Sequence, residues 1–181
     1  MGGPEHTAWC AWRRDRMNEP FTLRDAADRD FPELLRLNHE SVHFLSPLTL
    51  HQLRSLCAMA WHRRVIGAGI AVSGFLLALR EGENYESPNY QWFAARYTEF
   101  LYIDRIVIDA AARGRGLGVR LYEDLFEHAR AAQLRRVTCE FDIDPPNQAS
   151  RQFHERFGFR EVGCQRVADG KKTVSLQEAQ L

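Results

Sequence analysis

The stretch Ile106-Val107-Ile108-Asp109-Ala110-Ala111-Ala112-Arg113-Gly114-Arg115-Gly116-Leu117-Gly118 carries the densest chemical information in the chain. An apolar, strand-like run meets three glycines on alternate positions and passes straight into a helical pattern. Glycines let the backbone approach a ligand closely, with N–H groups turned outward. The helix start adds unpaired donors and the positive end of its dipole, so the turn suits a phosphate or pyrophosphate. Arg113 and Arg115 place positive charge beside it. Two other phosphate motifs fail on spacing. A P-loop ends in Gly-Lys-Ser or Gly-Lys-Thr, and a dinucleotide fingerprint has two residues between its second and third glycines, where here only Leu117 stands. A turn that needs glycines merely for sharpness is the bland alternative.

A second segment, Arg80 to Phe93, is long for a link between adjacent strands, and long loops on a rigid scaffold often carry function. Glu81, Glu83 and Glu86 offer negative charge, and Tyr85, Tyr90 and Trp92 offer faces that attract cations. That composition suits a cationic amine, although solvated acids and aromatics packed on the sheet fit it equally. Arg80 or Arg96 would instead meet a carboxylate, which favours an amino acid.

Other function classes are disfavoured. The 24 basic and 24 acidic residues cancel, so no overall charge draws the chain to nucleic acid. Cys10, Cys57, Cys139 and Cys164 stand far apart, with no C-x-x-C and no nearby pair of histidines. That spacing argues for buried structural thiols in a reducing compartment, with neither a metal nor a disulfide framework. No apolar run is long enough to span a bilayer, and no signal-peptide pattern is present, so a cytoplasmic location is expected.

These segments need elements to hold them. Residues 1–20 lack periodicity despite Trp9 and Trp12, and they read as a flexible extension, with Met17 a second possible start. From 21 to 181 a single domain is expected. A strand over Phe21–Arg24 precedes a helix begun near Asp28 or Asp30 and running through Val42. A second helix from Thr49 to Ala60 follows, then strands over Arg63–Ile66 and Ile70–Leu79 about Gly67-Ala68-Gly69. A short helix from Trp92 to Tyr97 leads to a strand over Glu99–Ile108, the glycine turn and its helix. A strand over Arg136–Ile143 and a helix over Gln148–Phe157, closed by Gly158, come next. Strands over Arg160–Val167 and Thr173–Gln177 complete a mixed sheet with helices on it.

With these motifs in that order, the sequence resembles the GNAT superfamily of N-acetyltransferases over about residues 21–178. The superfamily's loop reads Arg or Gln, two residues, Gly, one residue, Gly or Ala; Arg113, Gly116 and Gly118 match it in full. Its second pattern begins the helix after the fifth strand, and Asn147, Ser150, Phe153, Gly158 and Phe159 follow it. The departure is His154, where Tyr is usual.

The resemblance implies an α+β fold. Its central sheet is mixed and mostly antiparallel, with six to seven strands, splayed fourth and fifth strands and about four flanking helices. It implies acetyl-CoA as cosubstrate, with the backbone of Ile106, Val107 and Ile108 pairing with the pantetheine arm. Backbone groups of Arg113, Gly114, Arg115, Gly116, Leu117 and Gly118 would hold the pyrophosphate, and Asn147 would sit near the pantetheine amides or the following helix. His154 would protonate the leaving thiolate, or water would do so. A base is sought among Glu99, Asp104, Glu140 and Asp142; Asp104 is preferred because it alternates with Ile106 beside the splay. Phe44, Tyr85, Tyr90 and Trp92 are acceptor candidates, with His43, Leu45 and Ser46 behind them. The implied activity is acetyl transfer to a primary amine of a small molecule or amino acid, by direct attack in a ternary complex. No nucleic acid or membrane partner is implied, and the protein would be a monomer or homodimer. The alternative is a non-catalytic module that senses acetyl-CoA.

Overall fold

Phe75-Leu76-Leu77-Ala78-Leu79 is an unbroken apolar run, and such a strand needs cover on both faces. In a computed structural model describing residues 20–181 it forms β3 (Gly74–Arg80), buried at every residue but the last. β2 (His62–Gly67) and β4 (Leu101–Ile108) flank it, both antiparallel to it. Beyond β2 lies β1 (Thr22–Asp25). Beyond β4 lie β5 (Arg136–Asp144) and β7 (Lys172–Gln180), with β6 (Arg160–Val167) at the edge. Among the described residues this makes one seven-stranded sheet in which β4 and β5 form the parallel pair.

Among the described residues three α-helices cover one face and two the other. On the first, α1 (Phe31–Glu40), α2 (Leu50–Met59) and α3 (Pro88–Ala94) bury Leu34, Leu37, Leu53, Leu56, Tyr90 and Phe93 against Phe75, Leu77 and Leu79. On the second, α4 (Leu117–Ala131) and α5 (Gln148–Arg156) lie over Leu76, Ala78, Leu101 and Ile103. Local chemistry marks the helix starts. Thr49 and Gln52 form a reciprocal capping box on α2, at 3.2 and 2.8 Å, an arrangement worth about 1 kcal/mol. Among the described residues no helix is long and apolar enough to cross a membrane.

Four expectations need correction. The helix expected at Trp92–Tyr97 starts instead at Pro88, because Ser87 caps it and proline suits its first turn. β3 starts at Gly74, not Ile70, which is 87% exposed. The chain doubles back there: a Cβ on Gly67 would lie 1.7 Å from the Ala71 carbonyl oxygen. α1 stops at Glu40, short of Val42. Cys57 and Cys139 are buried as expected, whereas Cys164 is exposed. The expected extension, with Cys10, Trp9, Trp12 and Met17, lies outside the described residues.

Candidate functional site

Two irregularities in β4 build the site. Its parallel pairing with β5 consists of only two partners, Leu101 with Val137 and Tyr102 with Thr138. Beyond them the strands part, leaving the β5 side of the backbone from Ile103 to Ile108 without a strand partner. On the other side, pairing with β3 slips between Leu77 and Ala78, whose partners are Arg105 and Ile103. Asp104 is the extra residue of this bulge. A bulge re-aims side chains, and here Asp104 and Arg105 both turn to the α1 side of the sheet, where Arg105 meets Asn38.

Asp104 does not stand free. Its Oδ1 accepts from the Tyr85 hydroxyl at 2.5 Å and its Oδ2 from Arg105 Nε at 2.5 Å. Arg105 also donates to Asn38 Oδ1 at 2.6 Å, and both members of the ion pair have side chains only 4% exposed. With each oxygen already engaged by a neighbour, Asp104 is less open to a substrate amine than the sequence suggests, which weighs against its expected role as base. Glu140, two residues past the last β4–β5 rung, differs. Its Oε1 accepts from the Tyr102 hydroxyl at 3.0 Å, and its Oε2 is buried without a partner. Burial first, and then the negative charge of Asp104, push its carboxyl up to about 8, against the nearby Asn89 amide and the Tyr102 hydroxyl.

The two remaining carboxylates are engaged. Asp142 accepts from Lys172 Nζ at 2.8 Å, and the same ammonium donates to the His43 carbonyl at 2.7 Å. This ties the start of β7 to the α1–α2 connection. Glu99 accepts from the Arg135 backbone N–H at 3.1 Å, away from the splay. Sequence reasoning missed Asn38, Arg105 and Lys172, since nothing local marks a residue whose role is to hold a distant partner.

On the opposite face His154 lies 4% exposed among Tyr122, Phe141, Phe153 and Phe159. Its Nδ1–H donates to the Ser150 carbonyl at 2.7 Å, and its Nε2 accepts from the Tyr122 hydroxyl at 2.8 Å. Burial pulls its pKa down to about 4, so the ring is neutral at physiological pH. Its one proton is spent on the backbone and its other nitrogen faces a buried tyrosine. The expectation that His154 donates a proton to a thiolate is therefore corrected: the residue fastens α5 to α4.

The glycine turn offers backbone and little else. Gly114 and Gly116 sit at φ +75° and +74°, and a Cβ at either would meet no protein atom within 4 Å. Gly116 caps α4 in the left-handed conformation, and no side chain caps the first N–H groups of that helix. Leu117 is buried and anchors the helix, and a Cβ on Gly118 would lie 3.5 Å from the Phe153 ring. Asn147 Oδ1 caps α5 by accepting from the Ser150 N–H at 3.1 Å. Open N–H donors at the turn and an unpaired β4 edge from Ile106 to Ile108 fit a ligand with a pyrophosphate at one end and amides along its length. A cavity of about 500 Å³ opens beside the turn between Phe21, Arg36, Asp109 and Arg115, away from the splay.

The aromatic acceptor candidates separate. Tyr85 reaches the site through Asp104. Tyr90 is 1% exposed; its ring packs edge-on against Tyr102 and its hydroxyl donates to the Arg80 carbonyl, so it belongs to the core. Trp92 lies over Gly163, where a Cβ would come within 2.5 Å of the ring, and the Arg96 guanidinium covers it at 3.7 Å. Neither presents a free face to a cation, and both expectations are corrected. Phe44 is 53% exposed on the α1–α2 connection.

Residues 22–159 match the model of the acetyltransferase (GNAT) family. The phosphinothricin N-acetyltransferase of Streptomyces coelicolor is 43% identical over 66 residues, 36% of this chain and 37% of that protein. An N-acetyltransferase of Streptomyces griseus is 40% identical over 52 residues, 29% of this chain and 26% of its own length. The chain thus matches between about a quarter and little more than a third of the length of these curated relatives. Fold similarity is broader. Ard1 from Thermoplasma volcanium superposes with a TM-score of 0.73 at 16% identity, over 89% of this chain and 97% of that one. The structure of yncA from Salmonella typhimurium with its cofactor acetyl-CoA superposes at 0.66, with 18% identity, over 90% and 95%.

Proposed function

Because the chain belongs to the acetyltransferase (GNAT) family, we propose that it transfers the acetyl group of acetyl-CoA to a primary amine of a small molecule or amino acid, by direct attack in a ternary complex. The carrying observation is the end of β4–β5 pairing at Tyr102 and Thr138, with Glu140 just beyond it. The open β4 edge leads away from that point to the glycine turn. When bound, acetyl-CoA supplies the thioester whose carbonyl carbon is attacked. The free backbone edge of Ile106 to Ile108 orients the pantetheine amides, and N–H groups from Arg113 to Gly118 hold the pyrophosphate.

Glu140 is the base in this reading. A protonated amine cannot attack, and a carboxylate whose pKa is raised to about 8 is matched to take a proton near neutral pH. Its unpartnered Oε2 is the atom that would receive that proton. Asp104, held by Tyr85 and paired with Arg105, lies beside it and helps to shape the site. The new C–N bond forms as the C–S bond breaks, and the leaving thiolate takes its proton from water, since the one proton of His154 is held on the Ser150 carbonyl. No step calls for a metal.

A panel of amino acids, polyamines, aminoglycosides and N-terminal peptides, followed by release of free thiol, tests the proposal. Turnover with at least one small amine is expected. Tight acetyl-CoA binding without thiol release from any amine would favour the sensing module instead.

A further inference from the structure

Away from the splay, on the α4 side of the sheet, His62 of β2 meets Asp124 and His128 of α4. One ring nitrogen from each imidazole and one oxygen of Asp124 lie within 4.8 Å of one another. Asp124 and His128 are four apart, hence on one face of the helix, and the sheet brings His62 up from beneath. His62 is 5% exposed, and its Nε2 lies 3.0 Å from Asp124 Oδ2 without forming a hydrogen bond. His128 Nδ1 lies 3.8 Å from Asp124 Oδ1 and 2.7 Å from the Asp124 carbonyl oxygen, so ligation through Nδ1 requires the ring to release that carbonyl. The rings of His62 and His128 are 5.0 Å apart. A buried nitrogen 3.0 Å from a carboxylate oxygen but outside hydrogen-bond geometry is a group that calls for an explanation.

We propose that His62, Asp124 and His128 form a binding site for a divalent transition-metal ion, best suited to zinc. Two imidazoles and a carboxylate are zinc donors, and three protein ligands with water completing a tetrahedron is a common set. Zinc–ligand bonds of about 2.0–2.1 Å place donors roughly 3.4 Å apart, so the site must contract slightly. His128 can supply that movement, being 49% exposed. Arg64 now grips both oxygens of Asp124 at 2.9 Å and is shared with Asp25, so one of its two bonds to Asp124 gives way on binding.

At 1.5 Å per residue Asp124 and His128 stand about 12–18 Å along α4 from the glycine turn. The metal would thus tie the far half of that helix to β2, as a structural site remote from acetyl transfer. The expected absence of a metal rested on short-spaced ligands; His62 and Asp124 are too far apart in sequence to register that way.

Full-length protein stripped with chelator is titrated with Zn²⁺ by calorimetry and with Co²⁺ by visible absorption. One equivalent should bind, raising the melting temperature by several degrees. The cobalt spectrum should show tetrahedral bands without a thiolate charge-transfer band. His128→Ala, at an exposed position, should keep the fold and weaken zinc binding by more than about tenfold, the loss that even an outer-shell change brings. His62→Asn should do the same. Absence of uptake below millimolar zinc, uptake unchanged in His128→Ala, or a thiolate band pointing to Cys10 or Cys164 would each overturn the proposal and leave Arg64–Asp124 a plain ion pair.

Discussion

Glu140 and His154 make an instructive pair, one on each face of the same opening in the sheet. Burial is the largest influence on both, and it shifts each toward its neutral form. They differ in what their polar atoms have left to do. Both nitrogens of His154 are satisfied, by Ser150 and Tyr122. Glu140 keeps Oε2 unpartnered at the mouth of the splay. A buried titratable group with nothing left to bond is architecture, whereas one with an unspent atom is poised for a substrate. In the proposed reaction the faces divide the work accordingly: side chains act on the α1 side, and on the α4 side the backbone of the glycine turn serves while its side chains pack.

Glu140→Gln should strain this contrast most. Loss of a general base typically costs about 10²–10⁴-fold in turnover, and glutamine keeps the hydrogen bond from Tyr102 while accepting no proton. Turnover measured in a single cycle should fall by that factor with acetyl-CoA affinity unchanged. In the wild type, kcat/KM should rise with pH and level off above about 8, provided the amine is weakly basic and does not titrate in that range. A variant retaining near-full turnover would move the base elsewhere.

His154→Ala should have the converse effect. It leaves a cavity and strands the Tyr122 hydroxyl, so chemical denaturation should show a loss of about 2–4 kcal/mol, with turnover at low temperature within a few-fold of wild type. The two residues also oppose each other in pH dependence. Glu140 is protonated in both folded and unfolded chains below 4.5. Between 4.5 and about 8 only the unfolded chain ionises, so its contribution to stability declines as pH rises through that window. His154 is neutral in both states above 6.5. Between 6.5 and about 4 only the unfolded chain takes up a proton, so its contribution is lost as pH falls. Glu140→Gln should flatten the first slope and His154→Ala the second in denaturant midpoints measured across pH 4–9.

The smallest of these effects is expected at the turn. Gly116→Val meets no protein atom, but it forces a branched side chain into φ +74°. Strain of about 1–3 kcal/mol should reorient the N–H donors and weaken acetyl-CoA by roughly ten- to a hundredfold in calorimetry. Stability should change less than in His154→Ala. Unaltered affinity would break the claim that backbone does the binding on this face.

What the sequence determined by itself is what short-range chemistry determines. Gly114 and Gly116 are legible because only glycine accepts their left-handed φ without cost. Asn147 and Ser150 are legible because a cap and the N–H it receives lie within one helical turn. The unbroken apolar run of β3 announces a central strand, and the order of elements follows from such signals. Only the tertiary structure decided which carboxylate is free and which histidine is spent. Tyr85 reaches Asp104 across 19 residues, Tyr122 reaches His154 across 32, and Tyr102 reaches Glu140 across 38. Proton affinity is set by burial and by neighbouring charge, and both depend on segments that the sequence keeps apart and the sheet brings together.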